Sequence, residues 1–287
     1  MHFVNAKTLL SARNGMNLYR GCTHGCVYCD SRSVCYRFTH SFEDVEVKEN
    51  APVLLEEVLR KKRKRCLIST GSMSDPYQPC EEELRLTRRC LELLDRYGFG
   101  ASVITKSDGV LRDIDLFESI HQKAKAVLQM TLTAADEELS RVLEPNVCTS
   151  ARRYKVLKEF RARGIPAVVW MTPLLPFLTD TEENLRQLLD WCFDAGVKGI
   201  VCFGIGMTLR EGNREYYYRA LDRHFPGLSD EYRRRYGSAY EAVSPNHDAL
   251  IRIFHEECER RGVLHDPEEC FRYLAELPED GDQLTLF

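Results

Sequence analysis

Three cysteines lie close together near the start of the chain, in the run Tyr19-Arg20-Gly21-Cys22-Thr23-His24-Gly25-Cys26-Val27-Tyr28-Cys29-Asp30. Their spacing is C-x3-C-x2-C, with an aromatic residue directly before the third. Soft thiolate sulfur suits iron–sulfur chemistry, and three thiolates on one short loop can hold three irons of a cubane cluster. The fourth iron then lacks a protein ligand and can bind a substrate. Zinc is the rival occupant. A structural zinc site takes four protein ligands, and His24 could supply the fourth. A disulfide framework fits less well, because the 12 cysteines are scattered and the N-terminus does not read as a secretory signal. Cys66, Cys90, Cys192 and Cys202 fall in apolar segments and read as reduced core residues.

Such a loop needs a scaffold, and the chain alternates short apolar runs with longer amphipathic ones. Strands are predicted at Met16–Gly21, Cys66–Thr70, Ala101–Lys106, Ala126–Thr133, Ala167–Leu175 and Gly199–Gly206. They are mostly continuous runs, as strands buried on both faces should be. Helices are predicted between them, near Pro52–Lys64, Glu81–Tyr97, Asp113–Gln122, Ser150–Arg163 and Thr181–Asp194. Asp180 or Thr181 can cap the last of these and Gly196 can end it. Successive β/α units imply a parallel sheet with right-handed crossovers. Periodicity does not choose between a doubly wound sheet and a partial barrel. In either, ligands sit at the carboxyl ends of the strands, where the loop after the first strand falls. Past Gly206 the alternation gives way to helices at Glu211–His224, Asp230–Arg235, Asn246–Arg261 and Pro267–Leu277.

The cysteine loop, with Tyr28 before its last cysteine, resembles that of radical S-adenosylmethionine (radical SAM) enzymes. "YRGCTHGCVYCDSRS" at Tyr19–Ser33, "STGSMSDPYQP" at Ser69–Pro79, "VITK" at Val103–Lys106 and "TPLLPFLTDT" at Thr172–Thr181 resemble the branch related to spore photoproduct lyase. The resemblance implies an α/β fold, a partial (β/α)6 barrel over 1–209, with a C-terminal helical extension over 210–277 and a flexible tail over 278–287. It implies a [4Fe–4S] cluster on Cys22, Cys26 and Cys29, with S-adenosylmethionine (SAM) chelating the open iron. An external electron donor reduces the cluster, and cleavage of SAM starts radical chemistry on a substrate. Tyr28 would touch the adenine, Ser72, Ser74 and Asp75 would meet the amino end of SAM, and Lys106 would pair with its carboxylate. Thr131 or Thr133, on one face of a strand, would hydrogen-bond the ribose or carboxylate. One departure matters. Spore photoproduct lyases carry a hydrogen-donating cysteine where this chain has Ser72, and a serine O–H is a poor hydrogen-atom donor. Cys80 and Cys35 lie nearby in sequence as substitutes.

Several features bear on the substrate. The chain ends Gln283-Leu284-Thr285-Leu286-Phe287, which resembles the peptide that docks bacterial DNA-processing enzymes onto the sliding clamp. Leu286 and Phe287 would fill an apolar pocket, with an acidic tether before them. Arg60–Arg65 is an unbroken basic run, and 210–240 interleaves tyrosines with arginines, a combination able to stack on bases and hold phosphates. Against these, the formal net charge of −4 excludes a general polyanion binder. No apolar run is long enough to cross a bilayer, so no membrane partner is expected. Oxygen-sensitive thiolates without a secretory signal point to the cytoplasm. The reading is a radical SAM, lyase-like enzyme acting on a nucleic-acid base or DNA lesion. The alternatives are a radical SAM enzyme acting on a small molecule, peptide or protein, and a non-enzymatic zinc or nucleic-acid-binding module.

Overall fold

Strand order settles how the β/α units are wound. The computed structural model describes residues 1–277. Its main sheet has six strands: β2 (Gly15–Met16), β5 (Leu67–Thr70), β6 (Gly100–Thr105), β7 (Ala126–Thr131), β8 (Ala167–Trp170) and β9 (Gly199–Val201). All pairings are parallel and the order is β2-β5-β6-β7-β8-β9. Each strand therefore lies beside its predecessor in the chain. Right-handed crossovers in one direction put every connecting helix on the same face, the winding of a barrel rather than of a doubly wound sheet. The end strands β2 and β9 do not pair, so the barrel is partial.

The helices of that outer layer are α1 (Ala51–Lys61), α2 (Glu81–Leu84), α3 (Leu86–Tyr97), α4 (Ile114–Lys123), α5 (Glu137–Leu143), α6 (Ser150–Ala162) and α7 (Glu182–Asp194). Alternation along the strands sorts the core. Ala101, Val103, Leu128, Met130, Val169 and Ile200 pack with Leu91, Phe117, Phe160 and Leu188 of the helices. Leu67, Val127, Val168 and Val201 point the other way, onto Cys270 and Leu274 of a late helix, α11 (Pro267–Ala275). That helix covers the inner face of the sheet. Lys125 ties down its end by donating to the carbonyls of Tyr273 and Glu276. Before it come α8 (Asn213–His224), α9 (Leu228–Tyr236) and α10 (His247–Arg261), with an antiparallel pair, β10 (Gly206–Thr208) and β11 (Glu241–Val243). At the N-terminal end β1 (His2–Val4), β3 (Tyr19–Arg20) and β4 (Glu46–Lys48) form a small sheet in the order β1-β4-β3.

The outline follows the sequence pattern, and the differences have local causes. The segment Met16–Gly21 splits between two sheets, with Met16 on β5 and Tyr19 on β4. The strand expected to run to Leu175 stops at Trp170, just ahead of Pro173, which has no amide to donate. The strand expected over Gly199–Gly206 ends at Val201, and the chain turns into β10 instead. The helix predicted over Glu81–Tyr97 breaks at Arg85, which adopts φ 49°. The break has a purpose for Glu81, which is buried. Its carboxylate accepts from the amides of Leu86 and Thr87 at the start of α3, from Tyr19 and from Arg112 at 2.7 Å. Thr181 caps α7, its hydroxyl accepting from the Asn184 amide. Arg112 keeps its pair with Asp113, but Glu81→Ala leaves the buried amides of Leu86 and Thr87 without their acceptor and should lower stability by roughly 1–3 kcal/mol. A lower urea midpoint relative to wild type checks this.

Candidate functional site

A cavity of about 470 Å³ opens at the carboxyl ends of the main strands, a size suited to small ligands. Cys22, Cys26 and Cys29 line one side of it together with Tyr28. Ser72, Ser74, Asp75, Lys106 and Thr131 come from the ends of the next strands. Trp170, Phe203 and His247 form the facing side.

The cysteine loop is held at nearly every step by its neighbours. Gly21 sits at φ +91°, and a Cβ there would lie 2.4 Å from the Phe42 carbonyl, which accepts from the Cys22 amide. The Thr23 amide donates to Gln78, and the Val27 amide to the Leu143 carbonyl. Cys26, Val27 and Tyr28 are buried against Leu143, Leu175, Met207 and Tyr217, so the C-terminal extension backs the loop. Beneath the loop lies a buried polar group. Tyr28 donates to Glu144, which pairs with Arg153 at 2.5 Å, both side chains fully buried. Arg153 also donates to the carbonyls of Thr131 and Cys148.

Electrostatics follow from that burial. Burial pushes the Cys26 thiol well above its usual range, an effect that the Lys106 ammonium opposes. Burial, and then Asp75, push Cys22 up to about 12. Thiolate there needs a cation to replace the proton. Burial raises the Glu144 pKa, but Arg153, and then Lys106, outweigh it and hold the carboxyl below its ordinary value. Lys106 is held above its ordinary value by Cys26 and Glu144 in spite of its burial, so it stays an ammonium. Its nitrogen lies 5.9 Å from the Tyr28 ring centre.

The loop after β5 reaches the cavity because Gly71 takes φ +98°, where a Cβ would come within 2.1 Å of the Ile104 carbonyl. Ser72 is exposed in the cavity. Ser74 donates to the Tyr19 carbonyl at 2.7 Å. The Asp75 carboxylate accepts from Thr105 and from the amides of Tyr77 and Lys106, so most of its capacity braces the loop and the lysine. His24 lies 3.5 Å from Asp75, and burial lowers its pKa despite that neighbour.

Other expected residues fall elsewhere. Thr133 does not line the cavity; it is buried two residues past Thr131, beyond the end of β7, and faces Glu144. Neither Cys35 nor Cys80 lines it. Cys35 is exposed beside Arg210, and Cys80 flanks Glu81 on the outer side of the barrel, so neither thiol faces a substrate in this cavity. In the extension, Tyr217, Tyr218 and Tyr232 are core residues, with Tyr217 and Tyr232 hydrogen-bonded at 3.0 Å. Burial removes them as base-stacking surfaces. Arg60–Arg65 precedes β5, at the amino-terminal edge of the sheet and therefore the end opposite the cavity. Gln283–Phe287 lies outside the described residues. Glu144, Arg153, Trp170, Phe203 and His247 were not singled out from sequence. Arg153 carried a signal: it shares a helix face with Val156, Leu157 and Phe160, where an apolar residue was due.

The cysteine trio suits a cluster better than a single ion. A tetrahedral zinc would hold thiolates about 3.8 Å apart. Among the described residues these three do not form a group whose ligand atoms all lie within 4.8 Å. His24 is also engaged with Asp75 rather than presented as a fourth ligand. Among the described residues no helix is long and apolar enough to cross a membrane.

The family model "Radical SAM superfamily" matches residues 16–192. An uncharacterized protein of Mycobacterium tuberculosis is 33% identical over 238 residues, covering 79% of this chain and 68% of that protein. One of Methanocaldococcus jannaschii is 32% identical over 186 residues, covering 64% and 69%. Among solved structures, a variant of spore photoproduct lyase superposes with TM-score 0.63 at 13% identity, covering 92% of this chain and 80% of that one. Another, with bound AdoMet and dinucleoside spore photoproduct, gives 0.57 at 12% identity, covering 87% and 74%. At these identities the superpositions show a shared fold. Glu144→Gln should leave Arg153 buried and unpaired, at a cost of roughly 3–5 kcal/mol, and should lower iron content per chain. Because Glu144 is held below its ordinary pKa, its stabilisation is present above the ordinary carboxylate range and is lost as pH falls through the folded value. Thermal melts across pH should show that acid limb in wild type and a flatter profile in the variant.

Proposed function

Because the chain belongs to the radical SAM superfamily, we propose that it starts radical chemistry on a nucleic-acid base or DNA lesion held against Trp170 and Phe203. Family members use a [4Fe–4S] cluster and SAM. When bound, these supply a one-electron cleavage of the sulfonium that yields a hydrogen-abstracting carbon radical. In this reading Cys22, Cys26 and Cys29 hold the cluster. Lys106 binds the SAM carboxylate as a fixed ammonium, Ser72 and Ser74 approach its amino end, Tyr28 and Thr131 bound its adenosine side, and Asp75 positions Lys106 through the backbone. The apolar walls exclude water from the reacting atoms.

The observation that carries the substrate class is the aromatic side of the cavity. Trp170 donates its N–H to Gln129 at 2.8 Å, which fixes the ring, and Phe203 packs on it edge-on at 5.9 Å while remaining 59% exposed. A planar base can stack there. His247 accepts from the Ile205 amide through Nδ1, so its neutral ring offers Nε2–H as a donor on the same side. A second reading, a small molecule, peptide or protein substrate, is favoured by the position of the basic run at the far end of the sheet. With Ser72 in place of a thiol, the final hydrogen transfer differs from that of the spore photoproduct lyases in this proposal. Return of spore photoproduct to intact thymines by the purified enzyme would defeat that point.

The test is anaerobic turnover of cluster-replete protein with deuterated candidates. Label should pass into 5′-deoxyadenosine from nucleic-acid substrates. Label from peptides or small molecules alone would overturn the nucleic-acid reading. Lys106→Met should weaken SAM binding per loaded cluster by about tenfold to a hundredfold, the loss of a hydrogen bond to a charged group. Equilibrium dialysis with labelled SAM checks it.

A further inference from the structure

We propose that His2, His40 and Asp44 form a second metal site that binds a divalent ion of the zinc type and clamps the segment supporting the first cluster cysteine. One ring nitrogen from each histidine and a carboxylate oxygen of Asp44 all lie within 4.8 Å of one another. Among the described residues this is the group of histidine, cysteine and carboxylate side chains gathered that closely. Imidazole and carboxylate together suit zinc.

The tautomer of His40 gives the independent pointer. Its Nδ1 lies 2.9 Å from the Ser41 carbonyl, which can only accept, so Nδ1 carries the proton. Nε2 of the neutral ring is then a lone pair. That atom is buried and has no hydrogen-bond partner among the described residues. Left so, it forfeits the hydrogen bonds water would give it. A metal ion satisfies it. The Glu46 carboxylate stands 3.8 Å from the same nitrogen and can supply a further ligand, or water can. The two imidazoles meet edge to face at 4.9 Å, and Asp44 already accepts from His2 at 3.0 Å. The ion therefore takes the place of the proton between His2 and Asp44 and of the N-terminal ammonium, which lies 3.1 Å from the other Asp44 oxygen.

The elements that meet there matter to the main site. His2 is on β1, Glu46 on β4, and His40 and Asp44 on the segment between the cysteine loop and β4. Phe42, in the middle of that segment, accepts from the Cys22 amide and abuts Gly21. An ion at the proposed site pins the segment to the small sheet and so holds the carbonyl that positions Cys22. This is a structural role, separate from the radical chemistry and independent of the substrate proposed above.

The experiment adds Zn²⁺ to cluster-replete protein prepared in metal-free buffer, removes free ion by gel filtration, and measures zinc and iron together. Wild type should retain one zinc per chain with its cluster iron unchanged. His40→Gln and Asp44→Asn should each weaken retention by about a hundredfold, at least what loss of an outer partner costs. His255→Gln is the control, because His255 also stands beside another histidine, His265. No retained zinc in wild type, or equal retention in wild type and His40→Gln, would overturn the site. Should the variants fail to fold, amide hydrogen exchange of wild type decides: exchange over 40–45 and at Cys22 should slow with Zn²⁺, and an unchanged rate refutes the clamp.

Discussion

Three thiolates must be presented to a cavity from a loop that is otherwise buried, and the rest of the molecule is arranged around that requirement. Burial alone would keep Cys22 and Cys26 protonated. Lys106 supplies one compensating cation, and Glu144 in turn keeps Lys106 charged. Arg153 then compensates Glu144. The chain of opposite charges runs from the cavity wall to the base of the loop. A buried ion pair contributes little net stability, because desolvation offsets the attraction. Its value here is positional: Tyr28, the loop and the end of β7 are all tied to it by hydrogen bonds.

The sheet order explains why the cavity is shared. In a sheet wound in one direction, every strand delivers its carboxyl end to the same rim. Gly71–Asp75, Lys106, Thr131, Trp170 and Phe203 follow successive strands and meet there, where the cysteine loop, reached from β2 through the short β3, joins them. The extension completes the molecule in two ways. Helix α11 buries the inner face of the strands, which the outer helices cannot reach. The tyrosines of α8 and α9 wall the cysteine loop from behind.

Legibility from sequence followed the range of the interactions. The cysteine spacing, the β/α alternation and the capping of α7 by Thr181 are local, and local pattern reveals them. The break at Arg85 depends on where Glu81 meets Tyr19 and Arg112, contacts far apart in sequence, so periodicity joined two helices into one. Thr131 and Thr133 have the same strand parity, but β7 ends at Thr131 and the second threonine leaves the pleat that defined the face. The tyrosine-rich segment resembled a nucleic-acid surface because aromatic and basic residues serve equally well in a core with a charged rim. Tyr217 and Tyr232 take the core use, while Tyr240 stays exposed. Strand direction similarly decides the basic run, since residues just before a parallel strand lie at the end away from ligands.

A fold of this kind constrains radical initiation more tightly than it constrains the substrate. The initiating half of the cavity is built from one loop and the strand ends next to it, where residue types are dictated by thiolate ligation and charge compensation. The facing half comes from β8, β9 and the extension, which no such requirement governs. Trp170 is locked by Gln129, and Phe203 lies outside the cluster that backs the cysteine loop. Specificity therefore has to be argued from these side chains and not from the barrel. A fixed indole, an exposed phenyl ring and one imidazole donor describe a flat ligand with an acceptor on its edge. The nucleobase proposed above as substrate has that flat shape and that edge chemistry.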